Sequence, residues 1–214
     1  MNKTNKMDLL VALYIFLLCT AELMGGKTFP ILTGSFKLNA SVAIFLIPFI
    51  FSINDIIAEV YGAARARSVV RSGLLVIALL IGFGTLATSL PPSLRFTATE
   101  GAYDTIFQQS IRISLASLTA FTLSDFLDVY LFSKIRASLG KKRLWLRNNL
   151  SNFIAQLVDT VVFITLAFYA LNNPLDQNVA FLASLILPYW LLKCFMSVIE
   201  TPFVYLGVRW LKKH

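Results

Sequence analysis

Charged side chains are scarce in this chain. Of its 214 residues, 14% are charged and 57% are hydrophobic, and the mean hydropathy is +0.73. A typical soluble domain carries about 25% charged residues. The composition therefore excludes an ordinary soluble protein and indicates an integral membrane protein in contact with the lipid bilayer.

Histidine and cysteine are nearly absent. The single histidine is His214, and the two cysteines, Cys19 and Cys194, both lie in apolar runs. Disulfide frameworks and Cys-x-x-Cys metal sites need paired cysteines, and histidine-ligated metals or histidine-activated nucleophiles need internal histidines. We therefore expect neither an enzyme nor a cofactor. A metal held by paired carboxylates is the enzymatic alternative that the sequence leaves open.

Basic residues outnumber acidic ones, 19 to 11, which gives a formal charge of +8. They are spread over alternate loops, whereas a nucleic-acid-binding protein concentrates them in one patch. We therefore expect no nucleic-acid partner.

Six apolar runs are long enough to be membrane spans, at about residues 7–24, 39–60, 69–90, 110–132, 148–171 and 182–206.

The basic residues also indicate the topology. Six spans put both termini on one side, and that side holds fourteen basic residues against four in the opposite loops. Cytoplasmic loops carry the excess of Lys and Arg. The expected fold class is therefore all-α: a polytopic membrane protein with six transmembrane helices, a single domain over residues 1–214 and both termini cytoplasmic.

Two carboxylates in the second run are unusual for a membrane span. Asp55 and Glu59 share a helical face with Pro48 and Ser52, whereas Asn54 points elsewhere. A carboxylate inside a bilayer costs a few kcal/mol or more without a partner or water, so this face is expected to be directed to the protein interior. Because Asp55 and Glu59 lie near the cytoplasmic end, we interpret them as the inner lining or gate of a pathway.

The fourth and fifth runs carry similar polar stripes. One sector of the fourth run holds Ser110, Ser114, Ser117, Phe121, Ser124, Asp125 and Asp128. One face of the fifth run holds Asn149, Asn152, Gln156 and Asp159. Asp159 lies roughly 15 Å from the start of its helix, near the bilayer midplane, and Lys193 lies at a similar depth. Asp125 joins Asp55 and Glu59 as a pathway or gate candidate.

Three charges lie near the end of the first run, at Glu22, Lys27 and Lys37. Long charged side chains at the end of a span reach the water interface with their apolar stems still buried. We therefore expect solvated interfacial charges here, not a binding site.

The polar groups of the spans suit a flat polar heterocycle. Carboxylates accept from ring and exocyclic N–H groups, and amides pair with carbonyls and ring nitrogens. Aromatic rings such as Phe51, Phe121 and Phe163 can stack on its faces. For the isolated Ser, Thr and Asn residues, hydrogen bonding from helix to helix is the alternative. For Asp159 that alternative is weaker, because an apolar residue would pack there as well without the burial cost.

Several short blocks spread over residues 10 to 210 have a characteristic order and spacing. They are residues 49–55 (FIFSIND), 59–62 (EVYG), 66–67 (AR), 126–130 (FLDVY), 145–151 (WLRNNLS) and 159–160 (DT). These blocks resemble the VUT or queuosine precursor transporter family, and the run WLRNNLS at the opening of a span is fairly specific.

The resemblance implies a bacterial inner-membrane carrier that imports queuosine precursors, namely 7-cyano-7-deazaguanine, 7-aminomethyl-7-deazaguanine or both. We assign the N–H donor edge of the base to Asp159 or Asp128, its carbonyl to Lys193 or Asn152, and stacking to a nearby Phe. The complete set of substrate-binding candidates is Asp128, Asn149, Asn152, Gln156, Asp159 and Lys193.

One alternative accompanies this interpretation. Six spans around a small-molecule site would also suit a substrate-capture subunit for a vitamin-like molecule, which needs a separate energising partner. Six spans are a small scaffold for alternating access, which is compatible with a homodimer, although no Gly-x-x-x-Gly pattern indicates an interface.

Overall fold

The computed structural model describes the backbone of residues 3–32, 37–139 and 144–212. Side chains are described over these ranges except at residues 3–4, 125–126, 128–129, 131–139, 144–152, 196–203 and 212. The described chain is mostly helical, as the sequence predicts. Its elements are α1 (Lys3–Met24), β1 (Thr28–Leu32), β2 (Leu38–Ser41), a 3-10 turn (Val42–Phe45), α2 (Ile47–Tyr61), α3 (Ala63–Ser89), α4 (Glu100–Leu139), α5 (Leu144–Phe168) and α6 (Leu175–Lys212).

The outer surface of the helices is apolar. On α3, the side chains of Leu75, Leu79 and Phe83 are 61%, 63% and 72% exposed and follow one another at one-turn intervals. Such a stripe is unfavourable in water and ordinary against lipid tails. Four segments are long and apolar enough to cross a membrane, namely Asn5–Met24, Val42–Tyr61, Ala63–Ser89 and Leu175–Phe195. The chain is therefore a multi-pass membrane protein.

A β-hairpin separates the first two helices. Strands β1 and β2 pair antiparallel, with Thr28 opposite Ser41. The second strand reaches the interior, because Ala40 is fully buried and Ser41 nearly so. The Ser41 hydroxyl donates to the carbonyl of Gly25 over 2.6 Å, and Asn39 Nδ2 donates to Ser184 Oγ of α6 over 2.7 Å. The hairpin is thus fastened to the ends of α1 and α6.

The helical part of the second apolar run begins later than the sequence predicts. The run was expected to start at residue 39, but residues 38–41 are strand and α2 starts at Ile47. The Ser41 side chain accepts from the amide of Ala43 and ends the extended segment. Pro48 then occupies the first turn of α2, where its missing amide hydrogen is tolerated and its fixed φ suits a helix start.

The joint between α2 and α3 is one residue long. Helix α2 ends at Tyr61 and α3 begins at Ala63, so Gly62 alone makes the turn. Its φ is +87°, a region that residues with a Cβ rarely adopt. A glycine is therefore required for two long helices to meet without a loop.

Two apolar clusters close the bundle at opposite ends. At the end that holds both termini, Leu10 of α1, Ile57 of α2, Val69 of α3 and Leu211 of α6 are buried together. The Lys6 ammonium also donates to the carbonyl of Trp210 over 2.8 Å, so the first turns of α1 and the last turns of α6 are adjacent.

The second cluster lies at the hairpin end. Ala40 of β2 packs there with Ile164 of α5 and with Leu182, Leu185 and Tyr189 of α6. The Tyr189 hydroxyl donates to the Ser41 carbonyl over 3.4 Å. All six helices border a cavity between the two clusters.

The contact between α2 and α6 depends on Gly207. A Cβ placed there would lie 2.8 Å from Cγ1 of Ile56 and closer still to its Cδ1. We expect Gly207→Leu to lower the stability by about 1–3 kcal/mol, because the packed cluster must shift to admit the side chain. The measurement is thermal unfolding of the purified protein in detergent.

Gly82 provides the matched control for this substitution. It lies in α3, and a Cβ placed there meets no atom within 4 Å, so Gly82→Leu should unfold near the wild-type temperature. Equal unfolding temperatures for the two variants would contradict the close approach of α2 and α6.

Candidate substrate-binding site

The cavity between the two clusters has a volume of about 290 Å³ and receives residues from all six helices. This volume is at the lower end of the roughly 300–1,000 Å³ that small-molecule pockets span. Its wall is mainly apolar, with side chains such as Leu18, Ile50, Leu74 and Ile113. The polar side chains among its described lining residues are few: Tyr14, Glu22, Ser41, Asn54, Ser117, Asp159, Tyr189 and Lys193.

An ion pair crosses the cavity wall between α5 and α6. The Lys193 ammonium lies 2.5 Å from Oδ2 of Asp159, and Ser124 of α4 donates to Oδ1 over 3.3 Å. The side chains of Lys193 and Asp159 are 12% and 25% exposed, so both groups are reachable from the cavity. The pair neutralises two charges at membrane depth and joins three helices.

Glu22 is a cavity residue that the sequence interpretation missed. The prediction of a solvated interfacial charge is wrong, because Glu22 is only 4% exposed and lines the cavity. The hydroxyls of Ser114 and Ser117 lie next to its carboxyl, but Oε2 has no hydrogen-bond partner of acceptable geometry among the described residues. The spacing of Tyr14, Leu18 and Glu22, one helical turn apart, was the available signal.

The face of α2 that meets the cavity also differs from the expected one. Asn54 lines the cavity, although the sequence analysis directed it elsewhere, and its buried Oδ1 has no partner among the described residues. Glu59 is exposed, so the prediction that its face is directed to the interior is wrong there. Neither Asp55 nor Glu59 is among the described lining residues. The interior side of α2 is built from isoleucines instead.

The polar stripe predicted on α4 is confirmed over its described part. Ser110 and Ser114 are buried, and Ser110 donates to the carbonyl of Leu23 in α1 over 2.9 Å. Ser117 lines the cavity, and Ser124 binds Asp159. The serines therefore mark the side of α4 that packs against α1 and α5.

The aromatic residues also lie where the sequence indicates. Phe51 of α2, Phe121 of α4 and Phe163 of α5 all line the cavity, which confirms the prediction that they accompany the polar groups. Tyr189 adds a fourth ring and is almost fully buried. Flat aromatic faces thus surround the polar side chains, an arrangement that suits stacking on a planar ligand.

The remaining predicted site residues are distributed differently. Gln156 lies on α5 but is not among the described lining residues. The side chains of Asp125, Asp128, Asn149 and Asn152 lie outside the described part of the structure. No group of three or more His, Cys, Asp or Glu side chains suited to a metal ion occurs among the described residues.

This arrangement can bind a small, planar, uncharged or weakly charged molecule. The ring faces contribute dispersion and stacking, the unpaired oxygens of Glu22 and Asn54 accept hydrogen bonds, and Lys193 can donate. A mainly apolar cavity between membrane helices, lined by a few polar groups, suits a membrane transporter of small molecules.

Comparisons with known proteins agree with this class. The family model described as "Putative vitamin uptake transporter" matches residues 41–207, and the chain belongs to this family. No solved structure matches it.

Three curated relatives are similar to the chain. The "Probable queuosine precursor transporter" of Bacillus subtilis is 34% identical over 202 residues, which cover 94% of this chain and 83% of the relative. The "Queuosine precursor transporter" of Escherichia coli is 29% identical over 128 residues, or 58% of this chain and 53% of the relative. A "Probable queuosine precursor transporter" of Haemophilus influenzae is 25% identical over 145 residues, covering 66% and 57%.

The ion pair yields a stability prediction. Lys193→Met leaves the Asp159 carboxylate with only the Ser124 hydroxyl as described partner, so we expect a loss of about 1–3 kcal/mol. The double variant Lys193→Met with Asp159→Asn removes both charges and should recover part of that loss. Thermal unfolding in detergent compares the variants, and a double variant no more stable than Lys193→Met would contradict a direct charge pair.

Proposed function

We propose that this chain is an inner-membrane transporter that imports queuosine precursors, with 7-cyano-7-deazaguanine, 7-aminomethyl-7-deazaguanine or both as its substrates. The family membership and the names of the three relatives support transport of this class of molecule. The observation that carries the proposal is the cavity between the helices, which is lined by aromatic rings and a small set of polar groups. The chain acts as a carrier and not as an enzyme.

The chemistry of a 7-deazaguanine matches the cavity. Its fused ring is flat and stacks on aromatic side chains such as Phe51, Phe121 and Phe163. Its edge presents a ring N–H and an exocyclic amine as donors beside a carbonyl acceptor. Lys193 can donate to the carbonyl after a small displacement from Asp159. Asp128, Asn149, Asn152 and Gln156 stay candidates for further polar contacts along α4 and α5.

We propose six transmembrane spans with both termini in the cytoplasm of a bacterium. Three observations support this topology: the described chain has six α-helices, the hydrogen bond from Lys6 to Trp210 joins its two ends, and the basic residues are concentrated on the terminal side. The hairpin then lies on the periplasmic side, and Asp55 and Asp125 stay candidates for the inner part of the pathway. A homodimer is compatible with this arrangement.

The topology can be tested with reporter fusions. A fluorescent protein that matures only in the cytoplasm should give signal when fused to either terminus, because both termini follow the positive-inside bias. A periplasmic phosphatase inserted after Thr97, in the segment between α3 and α4, should be active. A fluorescent N-terminus combined with a periplasmic C-terminus would exclude an even number of spans.

Transport by alternating access requires the two closed ends to open in turn. The hairpin end is held by the contacts of Ser41 and Tyr189, and the terminal end by the cluster around Ile57. The cavity lies between them and is the place where the substrate would bind between the two opening steps.

Uptake into liposomes that contain only the purified chain tests the proposal. We expect labelled 7-cyano- or 7-aminomethyl-7-deazaguanine to accumulate above empty liposomes, with and without an imposed pH gradient as separate arms. A substrate-capture subunit would bind the label but would not transport it without its energising partner. Absence of uptake in every arm would remove the carrier function.

The same assay examines the predicted substrate contacts. Asp159→Asn releases Lys193 from its partner and should reduce uptake at least several-fold, because the geometry of the polar wall is lost. Asp128→Asn tests the second candidate carboxylate. Full uptake by both variants would contradict a substrate-binding role for either residue.

A further inference from the structure

Carboxyl groups outnumber ammonium groups in the described lining of the cavity. Its described lining contains two carboxyl groups, Glu22 and Asp159, and one ammonium group, Lys193. Asp159 is paired with that ammonium and with Ser124. The Glu22 carboxyl lies beside the hydroxyls of Ser114 and Ser117. Among the described lining residues, Glu22 on α1 is therefore the carboxyl group that has no ammonium partner.

Two buried acceptor atoms are left without a partner in this cavity. They are Oε2 of Glu22 and Oδ1 of Asn54, considered over the described side chains. Buried acceptors are nearly always hydrogen-bonded in folded proteins, because an unpaired one has lost its water without compensation. Because both atoms lie on the lining of one cavity, a ligand that carries two donors can satisfy both of them.

We propose that Glu22 and Asn54 form an acceptor pole that selects substrates by their exocyclic amine and ring N–H. This inference rests on the proposed function and assigns the donor edge of the deazaguanine to α1 and α2. A guanine-like edge presents these two donors side by side, whereas a hypoxanthine-like edge lacks the amine. A ligand without the amine leaves a buried acceptor unpaired, and this penalty produces the selectivity.

The proposal separates the roles of the two carboxylates. Asp159 holds Lys193 at the wall between α5 and α6 and keeps its ammonium available for an acceptor on the substrate. Glu22 lies on α1 and lines the same cavity as Phe51, Phe121 and Phe163. A planar ligand stacked on these rings then presents its amine and ring N–H to Glu22 and Asn54, and Lys193 is the donor available to the carbonyl that adjoins the ring N–H.

A matched pair of ligands tests the acceptor pole. The full-length chain in lipid nanodiscs is titrated with 7-cyano-7-deazaguanine and with its analogue lacking the 2-amino group, 7-cyano-7-deazahypoxanthine. We expect the wild type to prefer the amine-bearing compound by roughly ten- to a hundredfold. Glu22→Gln should reduce this preference by about tenfold, because the amide oxygen carries no charge and its NH₂ group repels a donor.

A second variant and a control complete the design. Asn54→Leu keeps the approximate size of the side chain and should lower the preference several-fold, which tests the pole even where Glu22→Gln does not fold. Asp104→Asn is the matched control, since Asp104 also has a buried oxygen without a partner but does not line the cavity. This control should keep the wild-type preference.

The outcomes separate this inference from the proposed function. If the wild type binds and transports the deazaguanine but the preference is absent, or persists in both cavity variants, the acceptor pole is refuted and the carrier function stands. The acceptor pole is also refuted if Glu22→Gln weakens the binding of 7-aminomethyl-7-deazaguanine alone and not that of the 7-cyano compound. Glu22 would then face the ammonium group of the 7-aminomethyl substituent. If neither deazaguanine binds, but guanine binds more tightly than hypoxanthine and Glu22→Gln removes this difference, the acceptor pole stands and the proposed substrate is wrong. Binding of no heterocycle refutes both.

Discussion

The cost of placing a polar group in a low-dielectric membrane governs this structure. Every charge or carbonyl at depth needs a partner within the protein, because lipid offers none. The contact between Lys193 and Asp159 is the clearest case, since it neutralises two charges and, through Ser124, joins α4, α5 and α6. The same constraint gives significance to the acceptors of Glu22 and Asn54, which lack such partners.

The hairpin satisfies this constraint in a different way. Non-helical backbone at membrane depth is tolerated only where protein covers it and supplies hydrogen bonds. The two strands pair with each other, the amide of Val42 donates to the carbonyl of Lys27 over 2.9 Å, and Ser41 donates to Gly25. The strand that enters the bundle therefore carries its own hydrogen-bonding partners, and its small residue Ala40 packs closely against α6.

The sequence predicted the helices and one polar face well, for physical reasons. Long apolar runs identify membrane helices because the bilayer requires about 20 such residues, and the serines of α4 follow the helical period without interruption. The similar depth of Asp159 and Lys193 followed from counting residues at 1.5 Å each. These inferences depend only on local geometry.

Other features depended on tertiary packing. Periodicity shows which residues share a face of α2, but it does not show which face is inside when almost every side is apolar. The sequence therefore predicted that Asn54 points away from the site and that Glu59 is directed to the interior, and both predictions were wrong. Glu22 was taken for an interfacial charge because the hairpin that covers the end of α1 was not foreseen. Strand β2 runs directly into an apolar helix, so no polar break in the sequence marked it.

The one-residue joint at Gly62 has a mechanical consequence. A loop of several residues lets two helices move relative to each other. Helices α2 and α3 are joined by Gly62 alone, because Tyr61 and Ala63 already belong to the two helices. Any rotation of α2, which carries Asn54 and Phe51 at the cavity, must therefore either change the backbone angles of Gly62 or be passed on to the 27 residues of α3. The cavity wall and the lipid-facing side of α3 are thus mechanically coupled through one residue.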